Sequence, residues 1–194
     1  IDQICDVEFD EFNQPTSNKI EVIGIDNFIK IRDTDKAAII FTGHIANWEI
    51  LSACATHFGL KTSALYRPPS NQFFARYLHS IRKKTTVKLI ASRPGAASEL
   101  VSILRDGGTI GVLIDQNFLN GVDVPFFGRP AKTSPLIAKL ARNLECPVHG
   151  ARAIRLPGGR FRLELSDEIK TPKNADGEVD VLEATALFTN ILEG

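Results

Sequence analysis

The 194-residue chain predicts an α/β fold, a mainly parallel central sheet covered by helices on both faces. Three observations lead there. Ala37–Thr42 and Thr109–Ile114 are short apolar runs with almost no polar interruption, as strands covered on both faces must be. Segments of helical spacing alternate with such runs, the pattern of parallel strands joined by crossover helices. Gly or Pro punctuates most of the junctions, including Gly59, Pro68-Pro69 and Gly107-Gly108. One domain over residues 1–194 is expected, long enough to bury about 70% of the surface its unfolded chain exposes.

Taken in order, residues 1–18 are polar and acidic and read as an N-terminal helix remnant or arm. Glu21–Gly24 reads as a short strand and Ile25–Arg32 as a short helix, before the first central strand Ala37–Thr42. A helix over Ala46–Phe58 follows, stopped by Gly59. Thr62–Tyr66 is the next strand, and Gln72–Lys84 carries helical spacing through Phe73, Tyr77, Leu78 and Ile81. Val87–Ala91, a helix over Gly95–Arg105 and the strand Thr109–Ile114 complete the alternation. Asn117–Thr133 reads as a long loop with an apolar wall, Val124-Pro125-Phe126-Phe127-Gly128. Ser134 and Pro135 suit the cap and first turn of a helix to Leu144. Ala151–Leu156 and Arg160–Leu165 form a hairpin about Pro157-Gly158-Gly159, and Val181–Leu192 is an amphipathic helix.

Composition narrows the function. The 23 basic and 23 acidic residues cancel, which argues against the broad positive field of a nucleic-acid binder. Cys5, Cys54 and Cys146 form neither a CxxC nor a ligand cluster, so reduced, mostly buried thiols and no structural zinc are expected. No apolar run reaches the 18 residues of a membrane-spanning helix. The opening Ile1-Asp2-Gln3 makes a fragment of a longer chain the expectation, and the lack of any Met points to missing positions within it.

Chemistry concentrates where Ala37–Thr42 empties into Gly43-His44. Glu49 lies five positions after His44, which on an ideal helix puts the two roughly 140° apart. They meet only if His44 stays in the turn after the strand while Glu49 sits in the first turns of the helix. A carboxylate so placed accepts a proton from one imidazole nitrogen and raises the basicity of the other. The spacing alone is cheap, and a buried structural histidine is the competing reading. Asp115 and Gln116 end the second buried strand, where they either cap a turn, hold an arginine or position a substrate hydroxyl. Arg67, Arg76, Arg82, Lys83, Lys84, Lys88 and Arg93 follow one another with no acid between them, a solvated face or a grip on a phosphorylated substrate. Phe126 and Phe127 count as core or as the lining of an apolar chain. Neither an HExxH pair nor a G-x-S-x-G elbow is present, and Cys54 within a helix reads as inert.

Gly43–Glu49 (GHIANWE), Tyr66–Pro68 (YRP), Leu113–Gln116 (LIDQ) and Gly121–Pro135 (GVDVPFFGRPAKTSP) together resemble the bacterial lipid A biosynthesis acyltransferases, lauroyl and myristoyl transferases of the lysophospholipid acyltransferase superfamily. The likeness spans roughly Ile20 to Leu192 and implies that the α/β fold is glycerolipid-acyltransferase-like. It implies transfer of a fatty acyl chain from acyl carrier protein to a hydroxyl of a lipid A precursor at the cytoplasmic face of the inner membrane, with no metal and no diffusible cofactor. The family's His-x4-Asp/Glu dyad matches His44 and Glu49. Its substrate-binding arginine matches Arg82 best, with Arg76 as the alternative. The chain departs from the family in lacking its N-terminal membrane helix and its Trp- and Arg-rich C-terminal end, since Trp48 is the one Trp here. Backbone amides near Gly43, or at the start of the following helix, are the expected oxyanion site. Two other classes share the residues: an acyltransferase for a glycerolipid or a phosphoinositide mannoside, and a non-catalytic domain of this fold that binds anionic lipid.

Overall fold

The structure, a computed structural model, describes residues 19–34, 36–69, 73 and 88–194. The described chain runs β1 (Ile20–Ile23), α1 (Ile25–Thr34), β2 (Ala38–Thr42), α2 (Glu49–His57), β3 (Thr62–Tyr66), β4 (Lys88–Ala91), α3 (Ala96–Arg105), β5 (Thr109–Leu113), β6 (Val122–Phe126), β7 (Arg129–Thr133), α4 (Leu136–Leu144), β8 (Val148–Leu156), β9 (Arg160–Glu168) and α5 (Val181–Glu193). The expected arm over residues 1–18 and the helix over Gln72–Lys84 lie outside the described residues, apart from the exposed Phe73.

Seven strands form one sheet in the order β1-β9-β8-β2-β5-β3-β4. Every neighbouring pair is parallel except β8 with β9, the hairpin the sequence announces at Pro157-Gly158-Gly159. All five residues of β2 are buried, as its unbroken apolar character requires. Alternate side chains serve opposite layers. Ala38 and Ile40 join Phe28 and Ile31 of α1 and Ile50 and Cys54 of α2 on one side. Ile39 and Phe41 join Leu100 of α3, Ile137 and Ala141 of α4, and Phe188 of α5 on the other. Burial pushes the Cys54 thiol up to about 12, so it stays protonated and inert.

Two expectations need correction. The helix after β2 begins at Glu49 rather than Ala46, because Ala46 adopts φ 49° and interrupts the helical path. The segment Asn117–Thr133 is not a loop throughout. Its second part is a separate two-stranded antiparallel sheet, β6 with β7, in which Pro125 faces Pro130. Prolines argue against a central strand, but in an isolated ribbon both strands are edges and tolerate them. Phe127 and Gly128 form its turn with φ of 49° and 71°, both positive as a two-residue turn of type I′ demands.

Candidate active site

Parallel pairing brings the site together. The register sets Thr42 of β2 beside Leu113 of β5, and the Ile114 N–H continues it by donating to the Thr42 carbonyl at 3.0 Å. Two neighbouring strands lie about 4.8 Å apart, so whatever follows each emerges side by side at their carboxyl ends. Here those residues are His44 and Asp115.

One carboxylate holds the histidine twice. Asp115 Oδ2 accepts the backbone N–H of His44 at 2.7 Å, and Asp115 Oδ1 lies 2.8 Å from His44 Nδ1. An ionised carboxylate can only accept, so this geometry keeps the ring proton on Nδ1 and leaves the Nε2 lone pair outward. The imidazole is 42% exposed on its side chain and the carboxylate 20%, which makes the ring reachable while its holder is partly sheltered. Trp48 stands edge-on to the ring with centroids 5.7 Å apart. Gly43 is required by closeness: a Cβ there would lie 3.0 Å from Leu192 Cδ2 of α5 and 3.3 Å from the Asp115 carboxyl carbon. Sequence reasoning placed Asp115 at the right strand end but assigned it to a turn, an arginine or a substrate. Its contact with His44 follows from strand order, which no spacing along the chain reveals.

Glu49 occupies the first position of α2, half-buried, where a negative charge complements the helix N-terminus. The backbone amide of His44 is committed to Asp115, and in the first turn of α2 the Ile50 and Leu51 amides donate to the Asn47 and Trp48 carbonyls at 3.2 and 3.1 Å. Arg67 is exposed at the end of β3, on the same edge of the sheet. Arg76 and Arg82 lie outside the described residues. Two other cations of the basic stretch are engaged by an acid from beyond it: Glu99 of α3 binds Lys88 Nζ at 2.7 Å and stands 3.8 Å from Arg93.

A cavity of about 140 Å³ lies on the Asp115 side of the pair, lined by Asp115, Gln116, Phe126, Lys132, Thr189 and Leu192. Gln116 also lines a larger cavity, about 500 Å³, whose walls include Leu65, Leu100, Ile114, Phe118 and Leu136. Its rim carries Arg93 and Lys139. Walls that are mostly apolar with a few converging polar groups suit a ligand with a hydrocarbon part. Phe126 lines the smaller cavity, whereas Phe127 lines neither and is 68% exposed at the hairpin tip.

Among the described residues no group of three His, Cys, Asp or Glu side chains is placed to hold a metal ion. No helix among them is long and apolar enough to cross a membrane. A sequence model of the family described as bacterial lipid A biosynthesis acyltransferase matches residues 9–194. No curated protein matches the chain.

Proposed function

The chain belongs to the bacterial lipid A biosynthesis acyltransferase family, and from that premise we propose that it moves a lauroyl- or myristoyl-class chain from acyl carrier protein to a hydroxyl of a lipid A precursor at the cytoplasmic face of the inner membrane. The observation that carries the chemistry is the His44–Asp115 pair, whose carboxylate also lines a cavity walled in part by Phe126 and Leu192.

In this reading Nε2 of His44 removes the proton of the acceptor hydroxyl as its oxygen attacks the thioester carbonyl carbon. The tetrahedral oxyanion collapses, the carbon–sulfur bond breaks, and the imidazolium returns its proton to the departing thiolate. Asp115 keeps Nδ1 protonated, so that Nε2 is the basic nitrogen at the moment of attack. Glu49, the carboxylate that the family dyad supplies, stabilises the imidazolium as it forms. The oxyanion develops close to the start of α2, where the positive end of the helix dipole favours negative charge. General-base catalysis contributes about 10²- to 10⁴-fold, and positioning and oxyanion stabilisation supply the remainder. The lipid chain lies along Phe126 and the apolar cavities, while Gln116 binds at their polar rim. Arg67, with Arg82 or Arg76, takes the acceptor's phosphate.

Acyl transfer to a tetra-acylated lipid A precursor, measured with defined acyl carrier proteins and the full-length protein, tests this reading. Turnover that disappears in His44→Ala is expected. Transfer that persists in His44→Ala, or that occurs only to a glycerolipid acceptor, overturns it.

A further inference from the structure

Several large apolar side chains stand exposed near the carboxyl ends of the central strands, and none of them is needed by the core. Leu119 is 86% exposed, Phe127 is 68% exposed, and Phe118 and Ile45 are exposed as well. Ile45 follows His44 directly. Phe118 and Leu119 lie in the segment after Asp115, where the Phe118 N–H donates to the Lys132 carbonyl at the base of the β6–β7 hairpin. Phe127 is at that hairpin's tip. From Lys132 to the tip the ribbon spans roughly 15 Å at about 3.4 Å per residue, and its strands wall the cavity beside Asp115.

Phe127 is unfavourable twice over. Its φ of 49° is a conformation that Asn, Asp or Gly adopt readily and a bulky aromatic does not. Its ring, in contact with Phe126 at 4.8 Å, is nevertheless left largely in water. The tip is also held in place, because the Phe127 N–H donates to Glu193 Oε1 of α5 at 2.9 Å. Charge separates the possible partners. The cations Arg129, Lys132 and Lys139 stand against Asp123, which pairs with Lys132 at 2.7 Å, and Glu193 at the tip, leaving one positive charge over in a chain whose formal net charge is zero. Protruding apolar tips with cations close behind them match the boundary between headgroups and acyl chains of an anionic bilayer.

We infer that Phe127 and Leu119, with Phe118 between them and the cavity, are wedges that seat this face of the protein in an anionic lipid surface, with the cavity mouth opening at the level of the acyl chains. The inference rests on the proposed lipid substrate and names how the site reaches it. Arg129 meets the lipid phosphates, Lys132 being paired with Asp123 at 2.7 Å, and the two tips replace water with hydrocarbon.

Flotation of the full-length protein with vesicles of phosphatidylethanolamine and phosphatidylglycerol reads the contact directly. The double variant Leu119→Ser with Phe127→Ser is expected to partition roughly ten- to hundredfold less than the parent, the loss from taking one or two such side chains out of hydrocarbon. Phe127→Trp should retain partition and add emission that brominated lipid quenches. Unchanged partition of the double variant overturns the inference. So does a bound protein whose added Trp emission brominated lipid leaves intact, or one whose added emission responds to soluble acyl carrier protein and not to vesicles. Leu119→Ser should also keep its acyl transfer to acceptor dispersed in detergent; equal loss there makes Leu119 a substrate contact and overturns the wedge. Failure of the parent to transfer acyl chains at all defeats the proposed function instead, and leaves vesicle partition to decide this inference.

Discussion

The two neighbouring exits of β2 and β5 and the β6–β7 ribbon flank the same cavity, yet they are built on opposite terms. At the strand exits the choices that bring the pair together agree with the fold: apolar strands bury on both faces, parallel register aligns their ends, and a glycine makes room for the carboxylate that holds His44. In the ribbon the choices run against stability. Prolines sit in both strands, a phenylalanine occupies a left-handed turn position, and its ring is exposed. Segments that fold at their own expense are where a requirement other than folding is acting.

The largest effect expected from breaking the first half of this comparison is chemical. His44→Ala removes the base, and acyl transfer should fall by about 10²- to 10⁴-fold with the thermal midpoint little changed. Asp115→Asn is sharper, because the asparagine has one acceptor where the carboxylate has two. Its oxygen goes to the His44 backbone N–H, its amide donors then face Nδ1, and the ring proton is driven to Nε2, which can no longer act as a base. A fall in kcat on the order of 10³-fold is expected, beyond that of Glu49→Gln, and an Asp115→Asn enzyme of near-parent kcat makes the pair a folding feature only.

Gly43→Ala comes next in size. The added methyl meets Leu192 at 3.0 Å and Asp115 at 3.3 Å, so either α5 yields or the carboxylate leaves His44. A loss of about 1–3 kcal/mol in unfolding free energy is expected from denaturant titration, with reduced kcat at temperatures where the variant is folded.

How much of this was legible in the sequence follows from range. The period of apolar residues gave the strands and helices that carry the core, because burial on two faces is written locally. The four motifs gave the family and pointed at both strand ends. What spacing could not supply was contact between positions 71 residues apart, so Asp115 was read beside the site rather than on the ring. The ribbon was missed for a different reason. Pro125 and Pro130 are evidence against strands only where both edges are paired, and a sequence does not announce that a ribbon stands alone. Ala46 in a left-handed conformation likewise gave no signal, since nothing about alanine marks it, and it moved the helix start to Glu49.

The ribbon predicts a gain rather than a loss. Phe127→Asn relieves about 1 kcal/mol of backbone strain and sacrifices about 0.5 kcal/mol of a ring contact that is largely in water. A net rise of about 0.5 kcal/mol in stability is therefore expected, accompanied by weaker vesicle partition. A variant both less stable and equally membrane-bound contradicts the view that this tip is kept for something other than folding.

The smallest effect belongs to the far edge of the sheet, where Glu99 joins α3 to the edge strand β4. Its hydrogen bond from Lys88, 2.7 Å long, and then the charges of Lys88 and Arg93 hold the Glu99 carboxyl below its ordinary value. A depressed folded-state pKa contributes stability that is present above the unfolded value and is lost as pH falls through the folded one. Glu99→Gln should therefore unfold at a slightly lower temperature than the parent at neutral pH, with the difference closing as pH is lowered below the usual carboxylate range. Both cations are exposed and Glu99 is only partly sheltered, so salt should shrink the difference as well. A gap between parent and variant that stayed constant from neutral to acid pH would assign the contribution to packing of the side chain's stem on β4 rather than to its charge.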